Sequence, residues 1–170
     1  MFDPLVLFYV GVVLILNGLW TLGRIADREI LIINALTGLL FLRIANELAF
    51  GDGADPATVR QTTFSLMFAF TYLWVAWNRF TRSDGRGLGW FSLIVAVTAQ
   101  WVSIQLFAVA GTDPWQVWSA FSWTAWAILW LVFFILHVFQ FPWNRLAGWM
   151  SIVQGVITGW LPAMLLLQPK

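Results

Sequence analysis

Six apolar stretches, each near the length of a membrane crossing, constrain this chain more than any other feature. They cover roughly residues 4–22, 29–50, 62–79, 87–109, 115–138 and 146–167. A helix needs about 20 apolar residues to cross a bilayer. The breaks hold the charges and turn residues: Gly23 to Glu29, Gly51 to Pro56, Arg79 to Gly87, Gly111 to Pro114 and Phe141 to Asn144. The Asp113-Pro114 pair also predicts a cap for the fifth helix. Hydrocarbon offers a backbone no hydrogen-bond partners, so these runs read as helices and not strands. The fold class expected is an all-α membrane protein with six transmembrane helices. Only 10% of the 170 residues are charged, against about 25% in soluble chains. Six spans leave no room for a separate extramembrane domain, so residues 1–170 read as one transmembrane domain. The first run lacks a basic leader and a small-residue cleavage site, which predicts a span rather than a cleaved signal.

Lysine and arginine set the orientation. The loops after the first, third and fifth helices hold Arg24, Arg28, Arg79, Arg82, Arg86 and Arg145, whereas Arg43, Arg60 and Lys170 lie towards the other face. The odd-numbered loops are therefore expected in the cytoplasm and both termini outside. Asp3, Asp52, Asp55 and Asp113 fall on the outer side. The order of helices suggests three consecutive hairpins.

Several functions are excluded early. There is no cysteine, and His137 is the single histidine, so thiolate and histidine-cluster metal sites are absent and no metal or other cofactor is expected. A net charge of +1 gives no footprint for nucleic acid. No carboxylate pair, Cys–His pair or phosphate loop sits at catalytic depth, and the chain does not read as an enzyme. No carboxylate lies deep in a span, which argues against a proton relay. Arg43 and Glu47 are four apart near a helix end, where they can pair or reach outward. Asn17, Asn34 and Asn78 fit interhelical hydrogen bonding or capping.

Thirteen tryptophans are the strongest anomaly. Trp90, Trp115, Trp118, Trp143 and Trp149 lie near helix ends and fit an interfacial belt. Trp126 does not. It is 11 residues into the fifth stretch, so roughly 16 Å deep. Trp123, Trp126 and Trp130 share one helical face. Phe68 and Tyr72 share a face of the third helix, with Tyr72 near the same depth. Gln154 and Trp130 are each eight residues from the inner end of their helices. Such rings fit plain helix packing. They also fit a narrow lumen in which Tyr O–H, Trp N–H and the Gln154 amide seek partners. That lumen suits a small, neutral, planar solute bearing N–H and C=O groups. The residues alone leave a channel or transporter and a scaffold both open.

Four motifs carry a resemblance. Leu7-Phe8-Tyr9-Val10-Gly11-Val12-Val13-Leu14 with Asn17-Gly18, Phe68-Ala69-Phe70-Thr71-Tyr72-Leu73-Trp74 running to Asn78, Trp126-Ala127-Ile128-Leu129-Trp130-Leu131, and Gln154-Gly155 with Thr158-Gly159-Trp160-Leu161-Pro162 resemble, in order and spacing, the AmiS/UreI family of bacterial amide transporters and urea channels. The resemblance covers nearly the whole chain. It implies three two-helix hairpins around a pore in each protomer, a hexameric ring with lipid in its central hole, and passive passage of urea or short amides. It also implies that Phe68, Tyr72, Trp123, Trp126, Leu129 and Trp130 line the pore, together with Leu7, Val10 and Leu14, the apolar members forming dry constrictions. Two departures stand out. Gln154 replaces the glutamate of the urea channels, and the outer loops lack the histidines of acid-gated members.

The resulting expectation is a passive, ungated channel of the bacterial inner membrane for urea and short aliphatic amides such as acetamide. It would feed a cytoplasmic amidase or urease. The alternatives are an ion-coupled transporter of the same solutes and a non-conducting scaffold for a cytoplasmic enzyme.

Overall fold

The computed structural model describes residues 4–51, 53 and 55–169, so Asp3, Asp52 and Lys170 lie outside the described residues. The regular structure among these is helical: α1 (Pro4–Thr21), α2 (Asp27–Phe50), α3 (Pro56–Thr81), α4 (Arg86–Val109), α5 (Pro114–Val138) and α6 (Asn144–Gln154). The last helix continues through a π-helical turn, Gly155–Trp160, into α7 (Leu161–Leu166).

Among the described residues, α1, α2, α4, α5 and the continuous segment Asn144–Leu166 are long and apolar enough to cross a membrane. Helix α3, at 26 residues, is the longest but falls outside that set. Its first turns carry Thr58, Arg60, Gln61, Thr62 and Thr63, which dilute its apolar character. The sequence stretch at 62–79 is the apolar part of this longer helix. Ile94, Val97, Trp101 and Ile104 on α4 are all more than half exposed and lie at helical spacing on one face. A stripe of this kind fits hydrocarbon and not water. The chain is a multi-pass membrane protein.

Local sequence explains the helix starts. Asp55 accepts from the backbone N–H of Thr58 at 2.8 Å, and the Thr58 hydroxyl accepts from the Asp55 N–H at 2.7 Å. This reciprocal cap precedes Pro56, whose fixed φ suits a first turn. Asp113 does the same work for α5, accepting from the Trp115 N–H at 2.9 Å and from the Gln116 amide at 3.1 Å. Both carboxyls are held below the ordinary aspartate range. For Asp55 the main cause is the Thr58 N–H, and for Asp113 the Trp115 N–H followed by the Gln116 side chain.

The helices fall into two compact units. The first comprises Met1–Ile25 and Gly85–Lys170, the second Ala26–Asp84. In the second unit α2 packs on α3. Gly38 permits this approach, since an added Cβ would stand 2.6 Å from Leu73 Cγ and 3.1 Å from the Ala69 carbonyl oxygen. In the first unit α4 packs on α5, and α1 packs on α6, the π turn and α7.

The third pair joins the first helix to the last, a packing that the expectation of three consecutive hairpins did not include. Glycine is the reason. A Cβ at Gly11 would collide with the Trp160 backbone, and one at Gly159 would stand 2.5 Å from Gly11 Cα. A Cβ at Gly18 would stand 2.5 Å from the Gly148 carbonyl oxygen. Increasing residue number on α1 therefore meets decreasing number on the last helix, and the two run antiparallel. Gly155 and Gly159 form the small-xxx-small spacing that lets backbones touch in membranes.

Candidate functional site

The break in the last helix has a local cause. Pro162 has no N–H to give the carbonyl four residues back, and its ring crowds that carbonyl. The preceding turn widens instead: the Leu161 N–H bonds to the Val156 carbonyl, five residues back. Such turns redirect side chains and recur at functional sites. Here the turn carries Thr158, whose hydroxyl donates to the Gln154 carbonyl at 2.6 Å and accepts from the Trp126 indole N–H at 2.8 Å. Trp126 is 2% exposed, so this bond meets the demand of a buried indole for an acceptor.

The same bond fixes the register of α5 against the last helix. With the helices running in opposite directions, Trp126 level with Thr158 puts Trp130 and Gln154 one turn further along, at a common level. The side-chain oxygen of Gln154 is buried and meets no hydrogen-bond donor among the described residues. A buried acceptor without a partner costs about 1–3 kcal/mol. It is the polar atom here best suited to a solute that brings an N–H.

Aromatic packing surrounds this polar centre. Trp123 and Trp126 meet edge to face, with centroids 5.4 Å apart and planes at 73°. Leu129 and Trp130 are buried on the same side of α5. The rotation of α5 is pinned from α4, where the Ser103 hydroxyl bonds the Ala120 carbonyl at 2.8 Å and lies 2.6 Å from the Thr124 hydroxyl. On α1, Leu7, Val10 and Leu14 are buried in a stripe beside the glycine stripe. The Leu7 carbonyl oxygen would stand 3.1 Å from a Cβ at Gly159, which sets Leu7 at the level of the π turn.

In the second unit Phe68 and Tyr72 are buried and share a cluster with Phe41 of α2. Phe41 stacks on Phe68, with centroids 5.3 Å apart and planes at 17°, and tilts against Tyr72 at 6.2 Å. The structure thus brings Phe68 to Tyr72, and Trp123, Trp126 and Gln154 into one connected group through Thr158. Sequence reasoning missed Phe41, which read as one apolar residue among many. It reached Thr158 only through resemblance, although its spacing of four from Gln154 places both on one helix face.

Several other polar residues have structural partners. Asn34 donates its amide to the Ile30 carbonyl at 2.9 Å. Arg43 pairs with Glu47. His137 Nδ1 lies 2.8 Å from the Phe133 carbonyl oxygen, and Gly85, at φ +82°, covers its ring where a Cβ would not fit.

Comparison with known proteins agrees with this architecture. The model of the AmiS/UreI family transporter matches residues 2–170. A Mycolicibacterium smegmatis protein named for the transport of amidate substrates is 40% identical over 164 residues, covering 95% of this chain and 74% of that protein. The acid-activated urea channel of Helicobacter pylori (strain ATCC 700392 / 26695) is 33% identical over 187 residues, covering 95% of each. The crystal structure of the Helicobacter pylori urea channel superposes with a TM-score of 0.85 at 31% identity, covering 96% of both chains. With a family match over nearly its whole length and relatives at this identity, the chain belongs to the AmiS/UreI family of transporters.

Proposed function

We propose that this protein is a passive channel for urea and short aliphatic amides, open at neutral and mildly acidic pH. The observation that carries the reading is the Trp126–Thr158–Gln154 group. It holds one unsatisfied oxygen, that of the Gln154 side chain, on the same helix segment as the threonine that bonds a buried indole. An amide or urea N–H can bond that oxygen while its plane slides along an indole. A hydrated ion would lose its shell there without replacement and is excluded. Leu7, Val10, Leu14 and Leu129 supply the apolar wall that keeps water sparse. Phe68 and Tyr72 offer a second ring surface. The names of the relatives, an amidate-substrate transporter and a urea channel, support the choice of solute. We place the odd-numbered loops in the cytoplasm of a bacterial inner membrane, on the arginine distribution, and the protomers in a hexamer, on family likeness. A cytoplasmic amidase or urease would consume the solute.

The absence of acid gating rests on three points. Gln154 is uncharged at any physiological pH. The single histidine is held against the Phe133 carbonyl at the α5 C-terminus, the end remote from the Asp113 cap. Asp55 and Asp113 have lowered pKa values as helix caps. Their contribution to stability is complete above the ordinary aspartate pKa of 3.8 and is lost only as pH falls through the lower folded value. Neither Gln154 nor the two aspartates change charge between pH 7.5 and 5.5.

Stopped-flow light scattering on proteoliposomes tests the reading, with urea and acetamide at pH 7.5 and 5.5. Rapid entry at both pH values without an ion gradient is expected. Entry that needs a proton or sodium gradient would replace the channel with a coupled transporter. Entry no faster than in empty liposomes, from folded protein, would leave the scaffold.

A further inference from the structure

At the Arg-rich end of the second unit a cavity of about 760 Å³ is lined by Asp27, Arg28, Leu31, Asn78, Arg79, Phe80, Arg82 and Ser83. Three arginines against one aspartate leave a net charge of +2 on the lining side chains. Asp27 spans the cavity's edge to Arg79, with a carboxylate-to-guanidinium distance of 3.8 Å, while Arg28 and Arg82 are exposed. The wall also holds Asn78, which is only 3% exposed. Its side-chain nitrogen is buried and finds no acceptor among the described residues. A concave site with excess guanidinium groups and a buried N–H donor lacking an acceptor is built for an anion with several oxygens.

The backbone reinforces this shape. The last turn of α3 ends at Arg82, which adopts a left-handed conformation at φ 57°. The N–H groups of Arg82 and Ser83 both return to the Asn78 carbonyl. This tight end draws Arg82 and Ser83 back beside Asn78. Phe80 is 72% exposed at the same rim, and its ring centroid lies 6.1 Å from that of Trp77, itself 60% exposed. An apolar surface thus leads directly out of a cationic pocket.

We propose that this pocket binds a phosphate group, supplied by the headgroup of an anionic phospholipid whose acyl chains run along Phe80 and Trp77. Basic pockets at the ends of transmembrane helices recognise such headgroups by the same chemistry. The phosphate oxygens take the Asn78 N–H and the Arg28 and Arg82 guanidinium groups, and Ser83 offers a hydroxyl. The site is independent of the permeation path and stands whether or not the protein conducts amides.

Native mass spectrometry of the full-length protein tests it, after equilibration with phosphatidylglycerol and phosphatidylcholine in equal amounts. The wild type should retain phosphatidylglycerol selectively. The double variant Arg28→Gln/Arg82→Gln should lose about thirty-fold in affinity for it, at roughly one basic contact's worth per arginine. Arg60→Gln, at the opposite end of α3, should retain it unchanged. Inorganic phosphate is the second arm. If millimolar phosphate binds the wild type but not the double variant, and displaces the lipid, the pocket takes soluble phosphate as well as the headgroup. Equal retention of the two lipids with no phosphate binding would overturn the proposal, as would undiminished phosphatidylglycerol binding by the double variant.

Discussion

The two units each bury an aromatic group by different means. In the first, Trp126 is held by a hydrogen bond to a threonine on a distorted turn, and that turn is held by glycine contacts with α1. In the second, Phe68 and Tyr72 sit on an unbroken helix and are held by ring stacking on Phe41. Directional bonds make the first site specific and fragile. Stacking makes the second tolerant of small changes in shape. The first unit should therefore govern which solute is recognised, and the second how freely a flat molecule moves.

Substitutions in the glycine seam should have the largest effect. Gly159→Val places branched carbons where Gly11 Cα already stands, and overpacking of this kind costs about 3 kcal/mol or more. Loss of folded protein is expected in size-exclusion chromatography, and Gly23→Ala, where open space leaves only the strain of a φ of +75°, about 1–2 kcal/mol, should be milder. Trp126→Ala removes a fully buried indole. It should change the urea-to-acetamide permeability ratio in liposomes and cost about 3–5 kcal/mol of stability. A folded variant with an unchanged ratio would remove Trp126 from the path. Thr158→Val keeps the shape but leaves the indole N–H without its acceptor, costing about 1–3 kcal/mol. Its permeability should fall further than that of Phe41→Leu, which loosens stacking in the second unit. The reverse order would invert the comparison. The smallest effect is expected from pH: thermal stability should decline below about pH 4 as the caps at Asp55 and Asp113 protonate.

Much of this was legible in the sequence because the bilayer imposes simple rules. Apolar length marked five spans and the apolar part of α3, and Asp113-Pro114 marked a helix start. Depth counting singled out Trp126 and set Trp130 level with Gln154, as the Trp126–Thr158 bond implies. The helix partners were not legible. Consecutive spans suggest consecutive hairpins, yet what selects a partner is the fit of small residues, and Gly11, Gly18 and Gly148 carry no side chain to announce it. The π turn was hidden as well, since Pro162 signals a break but not how the backbone will absorb it. Phe41 was invisible because every apolar residue in a membrane helix looks alike until its neighbour is known.

The seam between α1 and the last helix has a consequence for how the molecule is made. Helices α2 and α3 are neighbours in the chain and can dock as soon as both have emerged. Helix α1 precedes α2 in the chain, yet its partner follows α5. Until then its stripe of bare backbone has nothing to rest on except lipid. Contacts between distant segments form late. The second unit should thus reach its final packing early in synthesis, whereas the first unit, with its π turn, is completed only once Asn144–Leu166 has been made. A polypeptide truncated before Asn144 would keep a native α2–α3 pair and lack both the seam and the site.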